Sequence, residues 1–195
     1  MNTQDVIDFF DHCAPTWDDH AVANDAVVGT ILECAGIGEG VRVLDVACGT
    51  GVLFPYYLAR GAASVTGIDL SSEMVRIAAE KWGKEPRVDI LCGDAESWPF
   101  EELFDAVVVY NALPHFPEPE RLIRRLADLL RSGGRLTVAH GASRAVIDAH
   151  HQAQAAKVSM GLPPAEVLQD VFSNYLQVET VISDDRMYQI TGTKQ

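Results

Sequence analysis

We predict a doubly wound α/β fold, in which helices cover both faces of a seven-stranded, mostly parallel sheet. Strand-like and helix-like segments alternate along most of the 195 residues. Several strand segments, such as residues 104–110, are nearly continuous apolar runs, as expected for parallel strands covered on both faces. Near the end of the chain, a short polar turn separates two strand-like runs, which predicts a hairpin and a final antiparallel strand.

The N-terminal segment is predicted to be helical. Val6 and Phe10 are four residues apart, as on one face of a helix, and Pro15 interrupts the pattern. A second helix is predicted over about 25–35. We expect residues 1–36 to form lid helices over a site at the edge of the sheet.

The middle of the chain alternates between strands and helices. Ser71 is a good N-cap for one helix, and Gly133 with Gly134 is expected to end another. The predicted elements are a strand at 41–46, a helix at about 52–60, a strand at 64–69, a helix after Ser71, strands at 87–92 and 104–110, a helix near 119–131 and a strand at 135–140.

A helical insert is predicted over residues 141–174. Two strands, at 177–183 and 187–194, follow it and are joined by an Asp-Asp-Arg turn. At 195 residues the chain is long enough for one full core and short for two ordinary domains. We therefore expect a single domain over 1–195.

The overall charge excludes some classes of partner. The chain has 28 acidic residues against 15 Lys and Arg, a formal net charge of −13. Such a surface repels phosphate backbones, so we expect no nucleic-acid partner. No apolar run approaches the roughly 18–20 residues of a membrane span, and no signal-peptide pattern begins the chain. We expect a cytoplasmic protein without a membrane partner, either a monomer or a homodimer.

The cysteines do not indicate a metal centre. The chain has four, which are Cys13, Cys34, Cys48 and Cys92. They form no CxxC pair and no spacing typical of a metal site. We expect them to be reduced thiols in a cytoplasmic protein.

The most informative segment is VLDVACGTG, residues 43–51. A strand end runs into a turn with two glycines, Gly49 and Gly51. Such a turn before a helix lets backbone N–H groups approach a ligand with no side chain between them. Asp45 lies inside the strand, and Asp69 ends the next one. A glycine turn followed by an acid at the tip of the next strand is how a Rossmann-like sheet binds a nucleoside.

Two nucleoside cofactors compete for this motif. A dinucleotide site requires G-x-G-x-x-G, whose third glycine permits close packing of helix and strand. Counted from Gly49, the third glycine position is occupied by Phe54. Counted from Ala47, only Gly49 of the three positions is glycine. An NAD-dependent oxidoreductase is therefore the less favoured interpretation.

The motifs in combination resemble the class I S-adenosylmethionine-dependent methyltransferases of the small-molecule type, over about residues 9–194. Residues 45–51 are similar to the first family motif, D/E-x-G-x-G-x-G, with Ala47 at the first glycine. Residues 67–74 resemble the second motif, whose acid binds the ribose hydroxyls. Residues 92–100 resemble the third, whose aspartate meets the adenine amino group.

Two further segments carry the resemblance. Residues 111–116 resemble the fourth motif, a strand-end loop beneath the methionine portion of the cofactor. Residues 9–18 resemble the N-terminal lid segment of the methyltransferases of quinone biosynthesis and their relatives. The cofactor-binding residues that the resemblance implies are Asp45, Ala47, Cys48, Gly49, Gly51, Asp69, Leu70, Met74, Asp94, Ala95 and Asn111.

Histidines are the candidate catalytic residues. Methyl transfer from a sulfonium requires aligned reactants, exclusion of water and, for some acceptors, removal of a proton. His115, His140 and His150 come from segments that this fold would bring to one edge of the sheet. Histidines there can act as a general base, as metal ligands or as structural hydrogen-bonding residues. We predict a base role and no bound metal.

The sequence therefore predicts an S-adenosylmethionine-dependent methyltransferase. A short insert such as 141–174 can roof a small molecule but is poorly sized for a protein or a polynucleotide, so we expect a small-molecule acceptor. A regulatory module that binds S-adenosylmethionine without catalysis is the alternative left open.

Overall fold

A computed structural model describes residues 1–20 and 23–195 of the chain. Within these residues the strands are β1 Arg42–Val46, β2 Ser64–Asp69, β3 Val88–Cys92, β4 Phe104–Tyr110, β5 Leu130–His140, β6 Gln177–Ser183 and β7 Tyr188–Thr193. They form one sheet with the order β3-β2-β1-β4-β5-β7-β6. Strands β1 to β5 pair in parallel, and β7 runs antiparallel between β5 and β6. The predicted Rossmann-like fold, with seven mostly parallel strands and an antiparallel C-terminal hairpin, is confirmed.

Helices cover both faces of this sheet. The α-helices of the described residues are α1 Thr3–Cys13, α2 Trp17–His20, α3 Asp25–Cys34, α4 Phe54–Ala59, α5 Ser72–Trp82, α6 Pro119–Asp128, α7 Arg144–His150 and α8 Ala165–Ser173. Ser71 begins α5, as predicted, because its hydroxyl accepts the N–H of Met74, which no helical carbonyl can reach. In the ranges 1–20 and 23–195, no helix combines the length and the apolar character that crossing a membrane requires.

The sheet buries an apolar layer on each face, because successive side chains of a strand point to opposite faces. On one face, Leu44 and Val107 pack in a cluster with side chains of α6 and α8. On the other face, Val43 and Val108 pack with side chains of α3 and α4, including the fully buried Phe54. This double cover accounts for the continuous apolar runs in the strand sequences.

The last parallel strand begins earlier than its sequence suggests. β5 begins at Leu130 instead of residue 135, and α6 ends at Asp128. Leu130 pairs with Phe104 of β4 before the register of the two strands shifts. Gly133 has a φ of +77° in the shifted segment. Gly133 therefore allows the irregular segment within β5, and it does not end α6.

The insert after β5 contains α7, a π-helix over His151–Ala155 and α8. The connection between the π-helix and α8 folds back on α7. Leu162 donates its N–H to Asp148 Oδ1 at 3.0 Å, and Arg144 Nε donates to the Leu162 carbonyl at 2.7 Å. These bonds fix the connection against α7. The N–H of Met160, which donates to the Pro114 carbonyl at 2.8 Å, holds the insert beside the carboxyl ends of the strands.

Gly67 lies in β2, where the helical layer packs on the sheet, and its substitution tests how close this packing is. A Cβ added at Gly67 would lie 2.5 Å from the Phe54 ring and 2.9 Å from Cys48 Sγ. We expect Gly67→Ala to lower the free energy of unfolding by about 1–3 kcal/mol through overpacking, measured by urea denaturation. Gly38→Ala is the matched control, because a Cβ there meets nothing within 4 Å. Equal stability of the two variants would contradict this view of the core.

Candidate cofactor and acceptor site

A cavity of about 380 Å³ lies at the carboxyl ends of β1, β2 and β4. β1 lies between β2 and β4 in the sheet, so the chain leaves β1 and β4 toward opposite sides at this edge. Open α/β sheets bind ligands at such a switch point. The wall is formed by the N-terminal helices, the turns after β1 and β2, residues 93–96, the loop after β4 and the start of the insert.

Three residues of the turn after β1 have positive φ angles. Ala47 and Gly49 have φ of +55°, and Gly51 has φ of +78°. An L side chain rarely adopts this conformation, so the glycines are suited to it and Ala47 is strained. Gly51 lies behind the wall, where a Cβ would come within 2.7 Å of the Phe54 ring. The turn therefore presents backbone to the cavity at Ala47 and Gly49.

Phe54 occupies the position at which a dinucleotide motif has its third glycine. Its side chain is fully buried, and its ring centroid lies 6.1 Å from that of Trp82 in an edge-on contact. The helix is thus spaced from the sheet by an aromatic ring, where a dinucleotide motif would bring the two backbones close.

Asp69, the last residue of β2, joins the turn to α5. Its Oδ2 accepts the N–H of Gly49 at 2.8 Å, and its Oδ1 accepts the N–H of Ser71 at 2.9 Å. Burial raises the pKa of Asp69 and the Asp11 carboxylate adds to this effect, while the backbone donors act against it. A carboxylate has about four acceptor positions, so Asp69 can bind further donors from the cavity.

Asp45 lies beneath the turn, with 2% of its surface exposed, and is not part of the cavity wall. Burial raises the pKa of Asp45 well above its usual range, and the charge of Asp69 raises it further. The Tyr57 hydroxyl acts in the opposite direction. The side chain thus interacts with Asp69 and Tyr57 behind the cavity wall.

Asp94 lies on the wall and caps its own turn, since its Oδ1 accepts the N–H of Glu96 at 2.9 Å. Arg121 holds Glu96 by two bonds, in which Nε and Nη2 donate to the carboxylate oxygens at 2.7 and 2.9 Å. Bidentate pairs of this kind are strong and cancel each other's charge. The Glu96–Arg121 pair is therefore neutral overall, and Asp94 is the carboxylate that makes this part of the wall acidic.

The lid helices are attached to the cofactor half of the cavity by Asp11. Its Oδ1 accepts the Ser71 hydroxyl at 2.5 Å and the Glu73 N–H at 3.1 Å. Both donors belong to the start of α5, so a carboxylate of α1 caps a second helix. Residues 21 and 22 of the predicted lid segment 1–36 lie outside the described residues.

Asp18 attaches the other end of the lid. Its carboxylate accepts the Thr50 hydroxyl at 2.6 Å and the Lys81 ammonium at 2.9 Å. Burial raises the pKa of Asp18, but the hydrogen bonds from Lys81 and Thr50 outweigh it and lower the pKa. Beside it, Trp17 lines the cavity. The sequence analysis placed Asp11, Trp17 and Asp18 in a lid segment but did not predict them as binding residues. The partners of Asp11 and Asp18 are 32 to 63 residues away, beyond the reach of a local pattern.

The other half of the cavity is mainly apolar. Its wall includes Val6, Ile7, Phe10, Phe116 and Ile147. His115 also lies there, with its ring edge-on to that of Phe10 at 4.9 Å between centroids. The Nδ1 atom of His115 is 2.7 Å from the carbonyl oxygen of Val158, in the insert. A carbonyl can only accept, so Nδ1 carries the proton in this bond.

The three predicted catalytic histidines do not converge. His115 lies on the wall, whereas His140 and His150 do not. His140 is buried, with 1% exposed, and its ring centroid is 6.1 Å from that of Tyr188. His150 is exposed at the end of α7. Among the residues that the structure describes, His, Cys, Asp and Glu form no group of three or more that could hold a metal ion.

Most predicted cofactor residues lie together on the wall. They are Ala47, Cys48, Gly49, Asp69, Leu70, Met74, Asp94, Ala95 and Asn111. Asp45 and Gly51 lie behind them. Tyr110 is also on the wall and was not predicted. Its only sequence signal is its place at the end of a buried strand, next to Asn111.

The cofactor half of the cavity fits S-adenosylmethionine. Asp69 offers two carboxylate oxygens at the spacing of a ribose diol. The positive-φ turn provides an approach to backbone without intervening side chains. Asp69 and Asp94 make this wall acidic, which suits a sulfonium cation.

Comparisons with known proteins point to methyltransferases. Residues 43–134 match the family described as "Methyltransferase domain". A phosphatidylethanolamine N-methyltransferase from Cereibacter sphaeroides is 40% identical over 110 residues, which are 54% of this chain and 53% of that protein. A demethylmenaquinone methyltransferase from Renibacterium salmoninarum is 32% identical over 144 residues, which are 69% of this chain and 58% of that protein. The chain thus spans about half the length of the curated relatives it matches.

Solved structures share the whole fold. A chain in the complex between the Haloferax volcanii Trm112 methyltransferase activator and a methyltransferase superposes with a TM-score of 0.83. The alignment covers 97% of both chains at 19% identity, a likeness of fold alone. The ordered motifs, the matched domain and the fold agree: residues 43–134 are a methyltransferase domain, and the chain is similar to the class I S-adenosylmethionine-dependent methyltransferases, whose cofactor is S-adenosylmethionine.

Proposed function

We propose that the protein transfers a methyl group from S-adenosylmethionine to a small-molecule acceptor. The observation that carries this proposal is one cavity with two different halves. An acidic half is organised by Asp69 and the glycine turn, and an apolar half is roofed by α1 and the insert. When bound, the cofactor supplies a methyl group on a sulfonium, a good leaving group for in-line displacement.

The roof of the apolar half favours a small acceptor. Val6 of α1 packs with Ala155 and Val158 of the insert, and Phe9 and Phe10 pack against this cluster. Such packing excludes water from the acceptor and limits its size. The names of two relatives refer to phosphatidylethanolamine and demethylmenaquinone, which supports an acceptor with a substantial apolar part.

His115 is the residue that we propose as general base. Its Nδ1 is committed to the Val158 carbonyl, so the neutral ring carries its acceptor lone pair on Nε2. That atom can take a proton from a hydroxyl or amine of the acceptor as the new bond forms. Edge-on contact with Phe10 and the bond to Val158 orient the ring.

Two measurements test the proposed function directly. Calorimetry should detect binding of S-adenosylmethionine and S-adenosylhomocysteine to the folded protein. A panel of phenols, quinols, primary amines and secondary amines should then include a compound that yields S-adenosylhomocysteine above background. Binding without turnover on any acceptor would favour the regulatory alternative, and absence of binding would reject the proposal.

The raised pKa of Asp69 predicts that cofactor affinity depends on pH. Only the carboxylate accepts both ribose hydroxyls, so affinity should be full above the pKa of Asp69 and fall as the pH is lowered through it. Asp69→Asn should weaken binding of S-adenosylhomocysteine by about 1–3 kcal/mol at neutral pH and flatten the pH profile. Calorimetry over a pH series measures both effects.

Asp89→Asn is the matched control for this substitution. Asp89 is exposed on the neighbouring strand β3, and its replacement changes the net charge by the same amount. An unchanged affinity in Asp69→Asn, or an equal loss in Asp89→Asn, would remove Asp69 from the ribose role.

Replacement of His115 should separate catalysis from cofactor binding. Loss of a general base lowers turnover by about 10²–10⁴-fold, so His115→Gln should reduce kcat with little change in affinity for S-adenosylhomocysteine. The assay uses the acceptor identified in the panel. His12→Gln, on the exposed side of α1, should leave kcat unchanged. A normal kcat in His115→Gln would contradict the base role.

Asp11 should control how long the cofactor stays bound. Asp11→Ala removes the cap that α1 places on α5, worth about 1 kcal/mol. We expect S-adenosylhomocysteine to dissociate about fivefold faster, measured by stopped-flow displacement. Asp8→Ala is the control on the same helix, since Asp8 accepts only from Gln4 in its own helix among the bonds found. Equal dissociation rates in the two variants would show that this bond does not retain the cofactor.

A further inference from the structure

We infer that Tyr110 determines acceptor specificity by donating a hydrogen bond from its hydroxyl to an oxygen atom of the methyl acceptor. This inference rests on the proposed function. Tyr110 is the last residue of β4, it is half-buried, and it lies on the cavity wall. Its neighbours Asn111 and Gly141 decide where its hydroxyl proton points.

The orientation of Asn111 is set by a backbone donor. Gly141 donates its N–H to Asn111 Oδ1 at 2.9 Å. A backbone N–H cannot accept, so the oxygen of the amide, and not its nitrogen, faces Gly141. Asn111 is also held by its own N–H, which donates to the Ala139 carbonyl at 2.9 Å, and it has a φ of +55°. The Nδ2 group is therefore left as the donor toward other neighbours.

The Tyr110 hydroxyl lies close to that donor, because Gly141 both bonds to Asn111 and adjoins the Tyr110 hydroxyl. Burial raises the pKa of Tyr110, and its hydrogen bond with Asn111 acts against this effect, as expected when the amide donates to the phenol oxygen. A phenol is both an acceptor and a donor. With its oxygen accepting from Asn111, Tyr110 has its own proton to donate. We infer that the acceptor of this bond is an atom of the ligand in the cavity that Tyr110 lines.

Gly141 leaves the space that this arrangement needs. A Cβ added at Gly141 would collide with the Tyr110 hydroxyl. The φ of Gly141 is outside the left-handed region, so alanine is compatible with the backbone and only this contact opposes it. Glycine at position 141 thus leaves room for the Tyr110 hydroxyl.

The surroundings indicate the chemistry of the acceptor atom. Phe10, Phe116 and Ile147 line the same cavity and suit a ring or another flat apolar body. The guanidinium of Arg121, also on the wall, is neutralised by Glu96. An anionic group would therefore gain no counter-ion from Arg121, whereas a neutral carbonyl oxygen needs only one donor. The geometry favours a neutral ring compound that carries a carbonyl oxygen.

The test uses two small probes that differ in this oxygen. 4-Hydroxyacetophenone and 4-ethylphenol have the same ring and hydroxyl, and only the first has a carbonyl. Calorimetry on protein saturated with S-adenosylhomocysteine should show that wild type binds the ketone about tenfold more tightly, as one hydrogen bond allows. Tyr110→Phe should abolish this preference, and its affinity for S-adenosylhomocysteine should stay within about twofold of wild type.

Two further variants separate this role from a structural one. Tyr175→Phe should keep the ketone preference, because the Tyr175 hydroxyl donates to Glu120 at 3.1 Å, away from the cavity wall. Gly141→Ala should reduce the preference in the wild-type background by displacing the Tyr110 hydroxyl. It should have no further effect in Tyr110→Phe, which has no hydroxyl to displace.

The possible results are distinct. A ketone preference that survives in Tyr110→Phe, or a wild type that binds neither probe, would overturn the inference. So would a loss of S-adenosylhomocysteine affinity in Tyr110→Phe, because the hydroxyl would then face the cofactor. Failure of wild type to bind S-adenosylhomocysteine at all would instead reject the proposed function.

Discussion

The Asp69 carboxylate accepts one backbone N–H from the turn after β1 and another from the start of α5. These two bonds hold together the elements that form the cofactor half of the cavity. They also offset part of the cost of burying the carboxylate, since charge-assisted bonds favour its ionised form. Ser71 extends the same network to Asp11, so the position of the lid depends on the same carboxylate. A displaced Asp69 would disturb the turn, the helix and the lid together.

The carboxylates near Asp69 lower the stability of the fold, but they also suit a cationic ligand. Asp45 lies buried beneath the turn and Asp11 lies beside α5, and each interacts unfavourably with Asp69. Like charges in a partly buried wall oppose folding unless a cation or hydrogen-bond donors compensate. The class I cofactor brings a sulfonium cation to such a wall. Features that reduce the stability of the empty fold are therefore suited to the ligand, a common compromise at functional sites.

The acceptor half is assembled from segments that are far apart in the sequence. α1, the loop after β4 and the insert meet where His115 bonds to the Val158 carbonyl and Met160 donates its N–H to the Pro114 carbonyl at 2.8 Å. Phe10 completes this junction from the N-terminal side. A change in the loop after β4 or in the insert would alter the shape of this half of the cavity while leaving the Asp69 network in place. A change in α1 can affect both halves, because Asp11 belongs to that network. Two of the three segments can therefore vary independently of cofactor binding.

The alternation of apolar strands with helices and the glycine turn between Asp45 and Asp69 were enough to predict the fold class and the cofactor family. Those signals are local, because strand burial, turn geometry and helix caps each depend on a few neighbouring residues. Only the tertiary structure decided which strand-end residues face the cavity. It placed Asp45 behind the wall, separated His140 from His115 and brought Tyr110 onto the cavity wall. Side-chain direction and pairing across tens of residues depend on how the elements pack, which no local pattern records.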